Sequence, residues 1–451
     1  MTTSTHLLRR RRFLPLFVTQ LLGAFNDNLF KNAMVLFVVY SVYNSEAEEA
    51  KFSALASALF IIPFFVLSAL AGQLADMRDK ARVIRVVKFC EIPIMLVGAA
   101  GLLLAWRGIA VTTVAIPLML AGVFAMGVHS TFFGPIKYAI LPQHLKAEEV
   151  LAGTGLVEAG TYLAVLAGTI FAGWISVEWS AFGVVALAVL GYLAGRQVPP
   201  APPLVAAEPL DHHVLRASVR LVRNTLHDRR VFLAILAISF FWSIGAVLFI
   251  QFPPLAKNVL HASKEVASLF LVMFSIGIAI GSMSINALLR GKVSARYSPA
   301  SVIVMALFVV AFHFVCRAWN TGASSRLMDV AGFIAHPLAV PLLLSLLGIA
   351  VAGGMFVVPL YAFLTTFVDK SQTARTIAAN NIVNAGAMVG GSLVAVILSA
   401  VGVSILNQLL LSAALCGVSA WLARMLFLAE RDADARAAFK RKPESGKLAQ
   451  E

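Results

Sequence analysis

The sequence predicts an all-α polytopic membrane protein with 12 transmembrane helices in two six-helix halves. Sixty per cent of the 451 residues are apolar and only 13% are charged, against about 25% charge in a soluble protein. Mean hydropathy is +0.87. Apolar runs of about 20 residues, enough to cross a bilayer as a helix, recur along most of the chain. This balance excludes a soluble enzyme, a disordered chain and a secreted disulfide scaffold. Cys90, Cys316 and Cys416 are widely separated in apolar stretches and form no metal or disulfide pattern.

The runs fall at 13–43, 52–74, 83–106, 112–134, 150–174 and 179–197, then at 231–256, 265–289, 299–319, 338–362, 374–400 and 403–428. The expected units are therefore a six-helix bundle over 1–197, a linker over 198–230, a second six-helix bundle over 231–428 and a tail over 429–451. The linker opens with Pro199, Pro200, Pro202 and Pro203, which stiffen an extended chain. Its basic part, Arg216 to Arg230, suits a short amphipathic helix on an anionic leaflet. At the N-terminus, Arg10-Arg11-Arg12-Phe13-Leu14 resembles a twin-arginine export signal. The apolar run behind it continues to Tyr40 through Asp27 without a small-residue cleavage site, so an uncleaved first span is expected.

The formal charge of +14 would suggest nucleic acid in a soluble protein, but its distribution assigns it another role. With the N-terminus inside, 29 of the 36 Lys and Arg residues fall on the cytoplasmic side, counting Arg85 and Lys88 with the loop after span two. This bias places both termini in the cytoplasm. No nucleic-acid partner is expected.

The halves share a weak internal similarity. Gly134-Pro135-Ile136-Lys137-Tyr138-Ala139-Ile140-Leu141 precedes Glu158-Ala159-Gly160, as Val358-Pro359-Leu360-Tyr361-Ala362-Phe363-Leu364 precedes Asn384-Ala385-Gly386. The loop after span two runs Gly72-Gln73-Leu74-Ala75-Asp76-Met77-Arg78-Asp79-Lys80-Ala81-Arg82. With the 6+6 layout, it resembles the loop signature of the major facilitator superfamily, with Asp79 where the signature favours glycine. The resemblance implies the major facilitator fold. It also implies a gating role for Gly72, Asp76, Arg78, Lys80 and Arg82: the glycine lets two helices approach, and Asp76 sits at a helix end and pairs with arginines across the bundle.

Four further segments narrow the resemblance. They are Gln20 to Asn32 (QLLGAFNDNLFKN), Phe133 to Pro142 (FGPIKYAILP), Gly155 to Thr161 (GLVEAGT) and Ala378-Ala379-Asn380-Asn381. Together they are similar to the bacterial lysophospholipid transporters, closest to the version fused to acyltransferase and acyl-carrier-protein synthetase domains. The tail ends about twenty residues past the last span, so any such enzyme acting with this chain is expected to be separate. The resemblance implies a flippase of the bacterial inner membrane. Its substrate would be a lysophospholipid, expected to be lysophosphatidylethanolamine, its surroundings membrane lipid, and it would need no cofactor.

A charge at bilayer depth costs roughly 2.5–3.5 kcal/mol even on the lenient insertion scale, so intramembrane charges mark candidate sites. Asp27 and Lys31 are four apart and share a helix face with Ala24 and Gln20. Asn28 and Asn32 lie one position round. Glu158, in a glycine-rich helix, needs a cation, and Lys137 and Lys31 are the candidates. Glu91 follows Lys88 by three, a spacing for a local ion pair. For a lysophospholipid, Asp27 suits an ammonium, Lys31 and Lys137 the phosphate, and Asn380, Asn381 and Asn384 a head group through amide hydrogen bonds. Tyr138 and Glu158 complete the expected substrate-contacting set. Phe240, Phe241, Phe249 and Phe252 are candidates for the wall against the acyl chain.

No nucleophile–base pair, metal constellation or phosphate loop points to an enzyme. Two other readings remain. One is a proton-coupled exporter of amphipathic drugs or small metabolites, with Asp27 or Glu158 carrying the proton. The other is a membrane scaffold for partner acyltransferases.

Overall fold

Lipid offers no hydrogen bonds to a backbone, so each span must satisfy its own N–H and C=O groups, and this chain does so as helices. The computed structural model describes residues 6–42, 46–204, 206, 210–211, 213–319 and 327–440. Arg326, Arg441, Lys442 and Lys447, all counted above in the charge distribution, and 441–451 of the tail lie outside the described residues. The long helices are α1 (Leu14–Ser41), α2 (Glu46–Met77), α3 (Lys80–Trp106), α4 (Ile116–Ala139), α5 (Ala147–Trp174) and α6 (Val177–Arg196). After the linker helix Val214–Thr225 come α7 (Arg229–Asn258), α8 (Lys264–Leu289), α9 (Ser298–Ala318), α10 (Ala339–Thr366), α11 (Thr373–Ala400) and α12 (Ile405–Lys440). Among the described residues, 11 helical stretches are long and apolar enough to span a membrane. The remaining long helix, α1, is continuous, but Asn26-Asp27-Asn28 and Lys31-Asn32 break its apolar run.

Local chemistry sets the ends. Asp79 caps α3 by accepting from the Arg82 N–H at 3.0 Å, and Asp228 caps α7 by accepting from Arg230 at 2.8 Å. Pro15 and Pro299 stand in the first turns of α1 and α9, where proline removes no needed donor. The helices overrun the apolar runs by a few residues, and α12 continues to Lys440 because Ala, Arg, Asp and Glu there are compatible with helix once outside lipid.

The packing repeats six helices on. In the first six helices α1 packs on α5 and α6, α2 on α4, and α3 on α4 and α6. In the last six, α7 packs on α11 and α12, α8 on α10, and α9 on α10 and α12. Pro135 inside α4 and Pro359 inside α10 occupy corresponding helices. The most extensive junctions between the first six and the last six are α2 with α11 and α5 with α8, with smaller ones between α5 and α10 and between α4 and both α10 and α11. At the α5–α8 crossing a side chain on Gly155 would run into the Ser282 carbonyl oxygen, so only glycine lets the backbones approach this closely.

Two expectations are corrected here. Lys88 is not part of the basic loop: it lies eight residues into α3, fully buried. Its positive charge is held inside the bundle by Glu91 at 2.5 Å. The α7 phenylalanines do not line a chain slot. Phe241 and Phe252 are 3% and 1% exposed in the core, and Phe240 and Phe249 pack against it. The linker helix forms as expected but rests on α2 and α11, with Ala217 and Ser218 buried. At its entry, the His213 backbone N–H and the Arg216 guanidinium hold the Asp211 carboxyl below its usual range.

Candidate functional site

Between the first six and last six helices lies a cavity of about 420 Å³. Helical periodicity delivers its wall. Gln20, Gly23, Ala24, Asp27, Asn28 and Lys31 come from α1; His129, Ser130, Phe133, Gly134, Lys137 and Tyr138 from α4; and Asn381, Asn384, Ala385, Met388 and Val389 from α11. Steps of three and four keep each set on one face. Phe60, Ile61 and Phe64 of α2, Thr161 and Val165 of α5, Trp242 of α7 and Tyr361 of α10 complete the wall, and Lys88 also reaches it.

The structure thus brings together Asp27, Asn28, Lys31, Lys137, Tyr138, Asn381 and Asn384. Asp27 accepts a hydrogen bond from Ser130 at 2.7 Å. Lys31 lies 5.4 Å from the Phe60 ring and Lys137 4.8 Å from the Tyr138 ring. Among the described residues, neither lysine has a carboxylate within 4.0 Å. Asp27 and Lys31 therefore share a face without forming an ion pair.

Of the two lysines expected to serve Glu158, Lys137 interacts with it electrostatically without an ion pair inside 4.0 Å, and the hydrogen bond comes from a tyrosine. The Tyr138 hydroxyl donates to Glu158 Oε1. Tyr138 reaches α5 from the cavity wall, while Lys137, one position round α4, lines the cavity without a hydrogen bond to Glu158. Tyr138 stacks on Tyr361 with ring centroids 4.9 Å apart and planes 9° from parallel. The Tyr361 hydroxyl accepts from Trp242 Nε1 at 3.0 Å and from Asn384 Nδ2 at 3.3 Å, and Ser239 donates to Asn384 Oδ1 at 2.7 Å. A continuous polar and aromatic chain, Glu158–Tyr138–Tyr361–Asn384, therefore runs from α5 to α11, its last three members in the cavity wall. Asn380 is fully buried beside Tyr361 and does not line the cavity.

A second buried group borders the cavity. Glu91 accepts from Lys88 at 2.5 Å and from Asn26 at 2.7 Å, and its Oε2 lies 3.4 Å from His129 Nε2. The expected Lys88–Glu91 pair is present, deep in the bundle.

At the end carrying the basic loops the cavity is closed. The Asp76 carboxylate accepts from the backbone N–H groups of Ala374 and Arg375, both at 3.0 Å, and lies 3.9 Å from the Arg375 guanidinium. It caps α11 from across the bundle, where the helix dipole favours an anion. A side chain on Gly72 would meet the Ala378 Cβ at 2.7 Å and the Arg375 Cα at 3.1 Å. Lys80 is fully buried. Arg78 and Arg82 stand apart, exposed, in a separate lateral groove.

Sequence reasoning missed His129, Ser130, Trp242 and Tyr361 as wall residues. Tyr361 did carry a signal: it stands in the segment that repeats the one containing Tyr138. The polar pair His129-Ser130 inside an apolar run was another. Trp242 had none beyond an indole N–H that needs a partner when buried.

The model of the Major Facilitator Superfamily matches residues 16–381. The lysophospholipid transporter LplT of Serratia proteamaculans is 26% identical over 368 residues, covering 79% of this chain and 80% of that protein. Two solved structures share the fold. The human organic anion transporter MFSD10 superposes with a TM-score of 0.72 at 14% identity, covering 92% of this chain and 99% of that one. A bacterial homologue of the iron transporter ferroportin, in an outward-facing state, superposes with a TM-score of 0.67 at 13% identity, covering 93% and 99%. A match over most of the length, together with a polar cavity between packed sets of spanning helices, means that this multi-pass membrane protein belongs to the Major Facilitator Superfamily, whose members are secondary transporters and not enzymes.

Proposed function

We propose that this transporter moves a lysophospholipid, with lysophosphatidylethanolamine as the expected substrate, across the bacterial inner membrane. The observation that carries the reading is the chemistry of the central cavity. One acid, Asp27, and two lysines with no carboxylate within 4.0 Å among the described residues, Lys31 and Lys137, face the same space as Phe60, Phe64, Met388 and Val389. An ammonium, a phosphate and one acyl chain call for that combination of groups. Asn381 and Asn384 would add amide hydrogen bonds. The lysophospholipid transporter named above supports the same substrate class.

In this reading there are twelve spans in two halves of six, with both termini cytoplasmic, and the halves rock about the fixed site. The Asp76 cap and the α5–α8 crossing close the cytoplasmic end, so the described conformation faces outward. The re-acylating acyltransferase and acyl-carrier-protein synthetase would be separate proteins.

The test is transport of labelled lysophosphatidylethanolamine by the purified protein in vesicles, with and without an ion gradient. Substrate movement by the wild type, lost in Asp27→Asn and Lys31→Met variants that elute and melt like wild type, is the expected result. Full transport by a well-folded Asp27→Asn protein would remove the site assignment. No lipid movement by active vesicles, with gradient-dependent export of an amphipathic cation, would replace the reading by the proton-coupled one.

A further inference from the structure

A second, larger cavity of about 920 Å³ opens on the side of the bundle between α3 and α4, at the basic end. Its walls are two facing stripes at four-residue spacing. On α3 they are Arg82, Val86, Cys90 and Ile94; on α4 they are Phe124, Val128 and Phe132. Val86 is 56% and Phe124 42% exposed, so the groove faces the lipid. All charge sits at one end, where Arg78 and Arg82 are exposed. Asp79 is also there, but its carboxylate is engaged by the backbone N–H groups of Arg82 and Ala201. Neither guanidinium has an ion pair among the described residues.

The dimensions match one leaflet. From Arg82 to Ile94 the helix rises about 18 Å, close to half of the roughly 30 Å hydrocarbon core. Two cations at the interface and an apolar slot of one-leaflet depth complement an anionic phospholipid, and basic pockets between spanning helices bind such head groups. We propose that this groove is a binding site for an anionic membrane phospholipid, with the phosphate on Arg78 and Arg82 and an acyl chain between α3 and α4. His129 lies in the wall of both this groove and the central cavity, so the bound lipid would adjoin the Glu91 cluster. The site is separate from the central cavity, and the inference does not depend on what that cavity carries.

Cys90 is a built-in reporter, because it lies in the groove and is exposed while Cys316 and Cys416 are buried. The full chain, purified in detergent, is alkylated with a maleimide in the presence of phosphatidylglycerol or phosphatidylcholine. Phosphatidylglycerol is expected to protect Cys90 at concentrations about tenfold lower than phosphatidylcholine. The difference should vanish in the Arg78→Gln/Arg82→Gln variant, whose exposed side chains are not needed for packing. Equal protection by the two lipids, or a preference unchanged in that variant, overturns the proposal, as does protection by lysophospholipid alone. Native mass spectrometry of the unmodified protein gives a readout independent of any variant: selective retention of phosphatidylglycerol is expected, and equal retention of both lipids refutes it.

Discussion

Replacing Asp76 by Asn removes one charge from the contact that closes the basic end and leaves its shape. The carboxylate accepts two backbone N–H bonds of 3.0 Å from the start of α11 and has a cation at 3.9 Å. A hydrogen bond to a charged group contributes about 1.5–3 kcal/mol, against about 1 kcal/mol for a neutral pair. For two bonds the difference spans about 1–4 kcal/mol, and the magnitude of an anion at a helix N-terminus in a partly buried setting, up to about 2 kcal/mol, puts the loss in the lower part of that span, about 1–3 kcal/mol. Those contacts exist only while α2 and α11 meet, so the loss falls on the closed state. The population open at the basic end should rise about 5- to 150-fold. Ser282→Cys, fully buried on the second closing pair, reports the opening in a background where Cys90, Cys316 and Cys416 are replaced. Its maleimide labelling should accelerate by that factor in Asp76→Asn, while a buried cysteine at position 316 should not respond. Unchanged labelling in a folded Asp76→Asn protein would refute the role of this contact in closure.

Other residues give separate tests. Tyr138→Phe keeps the stack on Tyr361 but leaves the buried Glu158 without its donor, and thermal unfolding should report a loss of about 1–3 kcal/mol, largely recovered by adding Glu158→Gln. Lys88→Met strands Glu91 in the interior and should cost about 3–5 kcal/mol. The Lys88→Met/Glu91→Gln pair should be markedly more stable than the single variant in the same melt, and additive losses would contradict the pairing. Gly155→Val should hold α5 and α8 apart, because its Cβ meets the Ser282 carbonyl. Ser282→Cys labelling should then be fast whether or not Asp76 is intact.

Particular residues show how far the sequence could be read. The stripe Gln20–Ala24–Asp27–Lys31 was legible because polar groups on an otherwise apolar helix have one low-cost direction to face, the protein interior. The Lys88–Glu91 pair was legible from its spacing, but its depth was not: a lysine eight residues from a helix start reads equally as a loop cation. The expected Lys137 does act on Glu158 electrostatically, but its hydrogen-bond donor was not legible: lysine and tyrosine are neighbours at positions 137 and 138, and a one-residue step turns the side chain about 100° round the helix. The α7 phenylalanines were misread because lipid-facing, cavity-facing and core-facing rings are alike in hydropathy.

The sequence alone determined which stretches span the bilayer and where the basic fringe lies. A backbone in hydrocarbon must form helices of bilayer length, and their composition is visible without knowing their neighbours. It also exposed the polar stripe of α1, the repeat holding Tyr138 and Tyr361, and the superfamily. Only the tertiary structure decided which helices touch. It stacked Tyr138 on Tyr361, capped α11 with Asp76 from nearly 300 residues away, and set Arg78 and Arg82 in a lateral groove apart from that contact. The physical reason is that lipid tails are as apolar as leucine. A spanning helix therefore carries little in its own pattern to say which face meets protein and which meets lipid; packing against distant partners makes that choice.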